Sequence, residues 1–362
     1  MTPRKWIVQA ATLCLLVALA GCGGGKGGQS VSSSHYAFAT LPSLNRIAAL
    51  RIDSFTGIPT TVVGGPFLAG TSPTSIVLAP SGKFVYVANQ GGNDISLLKV
   101  DGSTGVLTEV MPRTPAGVTP VSLVMDSAGQ YLYAANQSSN TISSYSIDSG
   151  SGALTAVSSS PFAANNSPIA LTLSPSGSFL FAANVNLGTV SVFSVSSGAL
   201  QQVAGSPFAV GNRPVALLVE PNGNFLYVAN SLDNTLAVLA INSTTGALSA
   251  IQESPFAVGT NPSALELGPN GDILYVANEG SNSISAFSLD TSTGIPTELD
   301  HSPFLLAAEP ISMAVDSTGK FFLVASQSNK SVNVLKLTST GGLTTGTNAS
   351  VGWPATSIVT TK

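Results

Sequence analysis

Apolar residues in this chain come in short runs, and the runs repeat. Residues 72–110 show one full cycle. Pro73 opens an apolar run to Ala79, and Pro80-Ser81-Gly82 breaks it. Phe84 to Asn89 is a second run. A polar loop leads to a third, Ile95–Val100, and Ser103-Thr104-Gly105 separates it from a fourth, Leu107–Val110. Each run is rich in Val, Ile, Leu, Tyr or Phe and too short for a helix, so the pattern predicts four strands joined by tight turns. The turn chemistry recurs as Ser176-Gly177, Asn222-Gly223, Thr245-Gly246, Asn270-Gly271 and Thr293-Gly294. Glycine supplies the positive φ that such turns need.

The second run carries the clearest repeat. Tyr86-Val-Ala-Asn89 recurs as Tyr133-Ala-Ala-Asn136, Phe181-Ala-Ala-Asn184, Tyr227-Val-Ala-Asn230 and Tyr275-Val-Ala-Asn278. Weaker copies are Leu323-Val-Ala-Ser326 and Tyr36-Ala-Phe-Ala-Thr40. The ends of these seven copies lie 46 to 49 positions apart. A period of that length with four strands per unit predicts an all-β fold, a seven-bladed β-propeller of four-stranded blades. The first unit lacks its opening strand, and Trp353-Pro354-Ala-Thr-Ser-Ile-Val359 near the C-terminus matches Ser72-Pro73-Thr-Ser-Ile-Val77. The last strand is therefore expected to complete the first blade as its innermost strand and to protect the sheet edges. A further motif, Ser-Pro-Phe, recurs at Ser160, Ser206, Ser254 and Ser302, with Gly65-Pro66-Phe67 as a variant. It is read as a crossover whose Phe packs between neighbouring blades.

The N-terminus is of another kind. Arg4 and Lys5 precede an apolar run from Trp6 to Ala20. That run is shorter than the roughly 20 residues of a membrane span and fits a signal peptide over 1–21. It ends in Leu19-Ala20-Gly21-Cys22, which resembles a bacterial lipobox. The resemblance implies cleavage before Cys22 and lipidation of its thiol, hence an exported chain anchored in the cell-envelope membrane. Gly23, rather than Asp, points to the outer membrane if the source is Gram-negative. Residues 22–34, rich in Gly and Ser, read as a flexible tether, and 35–362 as the propeller.

Only 8% of residues are charged, so Ser, Thr, Asn and Gln must cover the surface. Loss of residues 1–21 takes two basic groups and no acid from 13 basic and 17 acidic residues. The acidic balance argues against nucleic acid as a partner. Of the two cysteines, Cys14 leaves with the signal peptide, so no disulfide is expected.

The Tyr-Val-Ala-Asn copies resemble the YVTN-type propeller repeat. With the Ser-Thr-Gly-Ala-Leu and Ser-Pro-Phe elements, the chain is similar to the lactonase-like propeller family, of which 6-phosphogluconolactonase is the named member. The resemblance covers residues 35–362. It implies a site at one mouth of the central channel, with His, Arg and acidic side chains near the inner strands. The two histidines, His35 and His301, lie away from inner-strand starts and read as surface or packing residues.

The residues before the seven inner-strand prolines define one mouth: Ser72, Thr119, Ser167, Arg213, Asn261, Glu309 and Trp353. Two readings stand for them. One is a polar ligand site with Arg213 gripping a carboxylate or lactone oxygen, Glu309 as acid or base and Trp353 as a wall. The other is an Arg213–Glu309 ion pair beside a packed Trp353. At the opposite strand ends, Asp126, Glu220 and Asp316 are either a Ca²⁺ site or, for the aspartates, turn-starting residues with Glu220 solvated. No cofactor is otherwise expected. No P-loop, dinucleotide or Cys/His metal motif occurs. The residues favour an envelope-displayed binding or scaffold module for a glycan, peptide or protein. The alternative is a lactonase-family hydrolase acting on an unknown lactone.

Overall fold

The computed structural model describes residues 35–361. The expected signal peptide, Cys22 and the whole of the tether lie outside the described residues.

Residues 35–361 form seven antiparallel sheets arranged as the repeats predict, one per blade. In blade 2 the strands are Pro73–Leu78, Phe84–Asn89, Asp94–Val100 and Leu107–Pro115. The other inner strands are Pro120–Met125, Pro168–Leu173, Pro214–Val219, Pro262–Leu267, Pro310–Val315 and Ile358–Thr360. The only helical element among the described residues is a 3₁₀ turn at Pro42–Leu44.

The second strand of each blade is buried along almost its whole length, on both faces. That explains its unbroken apolar character, since each face packs on a neighbouring blade. Among the described residues the core divides into seven clusters, each between two adjacent blades. The motif tyrosine bridges these layers with its polar end. Tyr86 Oη donates to the Gly152 carbonyl at 2.7 Å, Tyr227 to Gly294 at 3.0 Å and Tyr275 to Gly341 at 2.7 Å, each in the next blade. The inner strands are stitched across blades by hydroxyls: Leu123 N–H donates to Ser75 Oγ, Leu171 N–H to Ser122 Oγ and Ile358 N–H to Ser312 Oγ.

The closure is as predicted, but shorter. Ile358–Thr360 pairs with Ala37–Ala39 as the innermost strand of blade 1. Residues 353–357 are not regular strand. They are nonetheless tied to Thr40 by two backbone bonds, Thr40 N–H to the Ser357 carbonyl at 3.0 Å and Thr356 N–H to the Thr40 carbonyl at 3.2 Å, with the Thr40 and Thr356 hydroxyls bonded at 2.8 Å and Ser357 N–H donating to Thr40 Oγ1.

The Ser-Pro-Phe motif is not a crossover between blades. It belongs to the outer strand, which breaks at Ser-Pro and then re-pairs: Phe162 lies opposite Ile142, Phe208 opposite Val190, Phe256 opposite Leu236 and Phe304 opposite Ile284. Proline has no N–H to give the ladder. The preceding serine compensates, its Oγ accepting from Ser144, Val192, Val238 and Ala286 N–H at 2.9 Å. The phenylalanines are half-buried against the interblade clusters, as expected of packing residues rather than a binding ring.

Candidate functional site

The mouth begins with the backbone before each inner strand. Ser72, Thr119, Ser167, Arg213 and Asn261 have φ between 52° and 61°, a left-handed conformation that costs non-glycine residues roughly 1–2 kcal/mol. Four of them are held there by one device. The N–H groups of Ser72, Thr119, Ser167 and Asn261 each donate at 2.8 Å to Oδ1 of Asn45, Asn93, Asn140 and Asn234. Each asparagine ends the hairpin turn of the preceding blade.

Arg213 lacks this latch, because Gly188 stands where five other blades place asparagine and blade 7 places Lys330. Gly188 has φ +64°, and a Cβ there would sit 2.6 Å from the Gly211 carbonyl oxygen. A cleft of about 550 Å³ lies beside Gly188 and Arg213. Gln137, Asn186 and Asn212 give it polar groups, and Leu187 and Leu232, both largely exposed, give it an apolar wall. The Arg213 guanidinium is exposed and bonds no described residue; among the described residues the one ion pair is Arg113–Glu109, at 2.7 Å.

The expected Arg213–Glu309 ion pair is therefore not formed. Glu309 is half-buried two blades away, a separation the side chains do not close. Nor is Trp353 packed: it is 44% exposed, with the Lys330 ammonium 5.9 Å from its ring centre. Two carboxylates that the sequence reading did not single out stand at this mouth instead. Glu279 Oε2 accepts from Asn261 Nδ2 at 2.9 Å, in the blade next to Arg213. Asp233 accepts from the backbone and side chain of Asn212 at 2.7 and 2.9 Å, and these bonds hold its carboxyl below the usual range.

At the opposite end, Asp126 and Asp316 start turns as expected. Asp126 Oδ1 accepts from Gln130 and Tyr131 N–H, and Asp316 Oδ1 from Lys320 and Phe321 N–H. Glu220 is not solvated. It is fully buried, with Oε1 accepting from Asn224 N–H at 3.1 Å and Oε2 without a partner. Its longer side chain occupies the turn-starting position that Asp fills elsewhere, and burial pushes its carboxyl up. These three acids do not converge: among the described residues no group of three His, Cys, Asp or Glu could hold a metal ion. His35 is tied to Ser317, Nδ1 to Oγ at 2.6 Å, and His301 is exposed in a turn.

This end of the channel holds a residue that the sequence reading missed. Glu266 lines a cavity of about 430 Å³ with Val77, Val124, Met125, Met313 and Val359. Burial pushes its carboxyl up to about 8, and the Val315 N–H offsets this only in part. A signal was present: Glu266 is the one charged residue within any of the seven inner strands.

The chain belongs to the lactonase, 7-bladed beta-propeller family, whose model matches residues 32–168 and 170–361. No curated protein matches it. Among solved structures it is similar to a putative 6-phosphogluconolactonase from Bacteroides fragilis, with 21% identity and TM-score 0.80 over 92% of this chain and 99% of the other. It is also similar to the periplasmic gluconolactonase of Pseudomonas aeruginosa, with 19% identity and TM-score 0.79 over 91% and 99%. A Lactobacillus plantarum protein gives 20% identity and TM-score 0.77 over 91% and 99%. At these identities the structures speak for the fold; the family match favours the lactonase alternative over a scaffold.

Proposed function

We propose that this protein hydrolyses a sugar lactone at the Arg213 mouth of its channel. The observation that supports the reading is the cleft beside Gly188 and an arginine that has no carboxylate within ion-pairing distance among the described residues. A guanidinium that is not neutralised is available to a carbonyl oxygen that gains charge in the transition state. Gln137, Asn186 and Asn212 offer amides for sugar hydroxyls, and Leu187 and Leu232 exclude water from one side.

In this reading Glu279, oriented by Asn261, takes a proton from water as the water oxygen attacks the lactone carbonyl carbon. Arg213 stabilises the resulting oxyanion. Collapse breaks the ring C–O bond, the proton passes to the ring oxygen, and a hydroxy acid leaves as its carboxylate. One arginine gives little grip on a phosphate, where paired forks do best, so an unphosphorylated lactone fits better. The lipobox at Cys22 points the same way, to work at the envelope, where the neighbouring gluconolactonase of Pseudomonas aeruginosa is also described as periplasmic.

The test is hydrolysis of a panel of aldonolactones and aliphatic lactones by the purified protein, beside Arg213→Ala and Glu279→Gln. Turnover that both variants lose by 100-fold or more supports the proposal. Turnover unchanged by either variant removes the site, and no turnover by a cooperatively melting protein removes the activity and returns the binding reading.

A further inference from the structure

Glu266 stands opposite Tyr275 in the sheet register. The corresponding positions of other blades, opposite the same motif residue, are Val77, Val124, Thr172, Leu218 and Ala314. One blade thus places a carboxyl where most others place an aliphatic side chain, in the lumen of a ring that surrounds it. Among the described residues no Lys, Arg or His lines its cavity. The neighbouring inner strands Pro214–Val219 and Pro310–Val315 carry no charged residue, and the Tyr275 hydroxyl is committed to Gly341. The titratable groups beyond them at this end are Asp126 and Asp316, held in turns, Glu220 in its own buried turn and His35, bonded to Ser317, with Lys83, Asp272 and Lys320 exposed in the turns that follow the inner strands.

We propose that this end of the channel is a binding site for a primary alkylammonium ion, with Glu266 as its counter-charge. An uncompensated carboxylate in apolar surroundings is costly, and a cation offers the largest offset. The walls select the rest of the ligand. Val77, Val124, Met125, Met313 and Val359 would cover an alkyl body, and the hydroxyls of Ser317, Thr360 and Thr361 would accept the remaining ammonium protons. The volume, about 430 Å³, is that of a small-molecule site. The site lies at the opposite end of the inner strands from Arg213 and is independent of the lactone reaction.

Binding must be coupled to a proton. The free carboxyl, with its pKa near 8, is mostly protonated at pH 7. Pairing with R–NH₃⁺ requires the carboxylate, so the Glu266 proton leaves to solvent as the ligand binds. Affinity for an alkylammonium should therefore rise about 50-fold from pH 6 to pH 8 and level off above that, until the amine itself titrates near 10.4.

The probe is n-hexylammonium chloride, titrated calorimetrically at pH 7 in buffers of different ionisation enthalpy, with 1-hexanol as the neutral control. The expected result is one site, release of close to one proton per ligand, and at least tenfold weaker binding to Glu266→Gln of unchanged melting behaviour. Equal binding of hexanol, binding without proton release, or no binding overturns the proposal. Should Glu266→Gln fail to fold, the proton count and pH slope of the unmodified protein decide the matter alone. Loss of lactone turnover with hexylammonium binding intact separates the two sites.

Discussion

Tyr86 and Gly152 lie 66 residues apart and are joined at 2.7 Å, the phenol of one blade donating to a turn carbonyl of the next. Tyr86 is wholly buried, and Gly152, at φ +78°, packs against Phe84 so closely that a Cβ would lie 2.7 Å from its ring. The relationship recurs from Tyr227 and Tyr275. In these three blades it ties a repeat to its neighbour rather than stabilising a blade by itself.

Tyr86→Phe should therefore cost about 1–2 kcal/mol, since the buried Gly152 carbonyl loses its donor while the ring still packs. Denaturant unfolding of the variant beside the parent measures this. No change would mean that water replaces the phenol. Blade 4 already carries a phenylalanine here, Phe181, also fully buried.

The closing strand should matter far more than its three paired residues suggest. Ile358 is 4% exposed and its N–H reaches Ser312, while Thr360 Oγ1 donates to the Val315 carbonyl in blade 7. Ile358→Ala should cost about 2–4 kcal/mol through transfer and cavity terms. Ending the chain at Ala355 should cost more, because it uncovers Phe38 and the edge of its strand. Thermal melts of both forms give the order; a truncated chain that melts like the parent would refute the ring-closure account.

The pH dependence of stability follows from Glu266. Its folded carboxyl titrates near 8, against a value near 4.5 in the unfolded chain. Between these values the folded state binds the extra proton, so its contribution is intact below about pH 4.5 and is lost as pH rises towards 8. The limiting slope is about 1.4 kcal/mol per pH unit. Glu266→Gln should flatten the fall between pH 5 and pH 8 in equilibrium unfolding. An unchanged slope would place the titration elsewhere, Glu220 being the other raised carboxyl.

Arg213→Gly separates fold from chemistry. Position 213 has φ 57°, which glycine adopts without a Cβ penalty. Folding stability should change by less than about 1 kcal/mol, the relief of strain offsetting the added chain entropy. Lactone turnover should fall by about 100-fold or more if the guanidinium holds the oxyanion. Melting and kinetics on the same sample check both halves; retained turnover would remove Arg213 from the reaction.

The sequence by itself determined the ring. Seven copies around Tyr86, Tyr133 and their counterparts, the turn glycines and the Pro354 segment that completes blade 1 are local patterns, and local patterns suffice when one unit is repeated and each unit must bury both faces. It also placed the mouth residues at the starts of the inner strands. The tertiary structure alone decided which side chains meet there. Arg213 and Glu309 read as a pair because both are charged, yet their blades hold them apart. Gly188 leaves Arg213 without the asparagine latch only because Arg213 follows it in the next blade, a relationship set by how the blades pack together. Glu220 shows the same limit. A glutamate near the end of a strand reads as solvated until the ring closes around it, because desolvation depends on every neighbouring blade and not on the residues beside it in the chain.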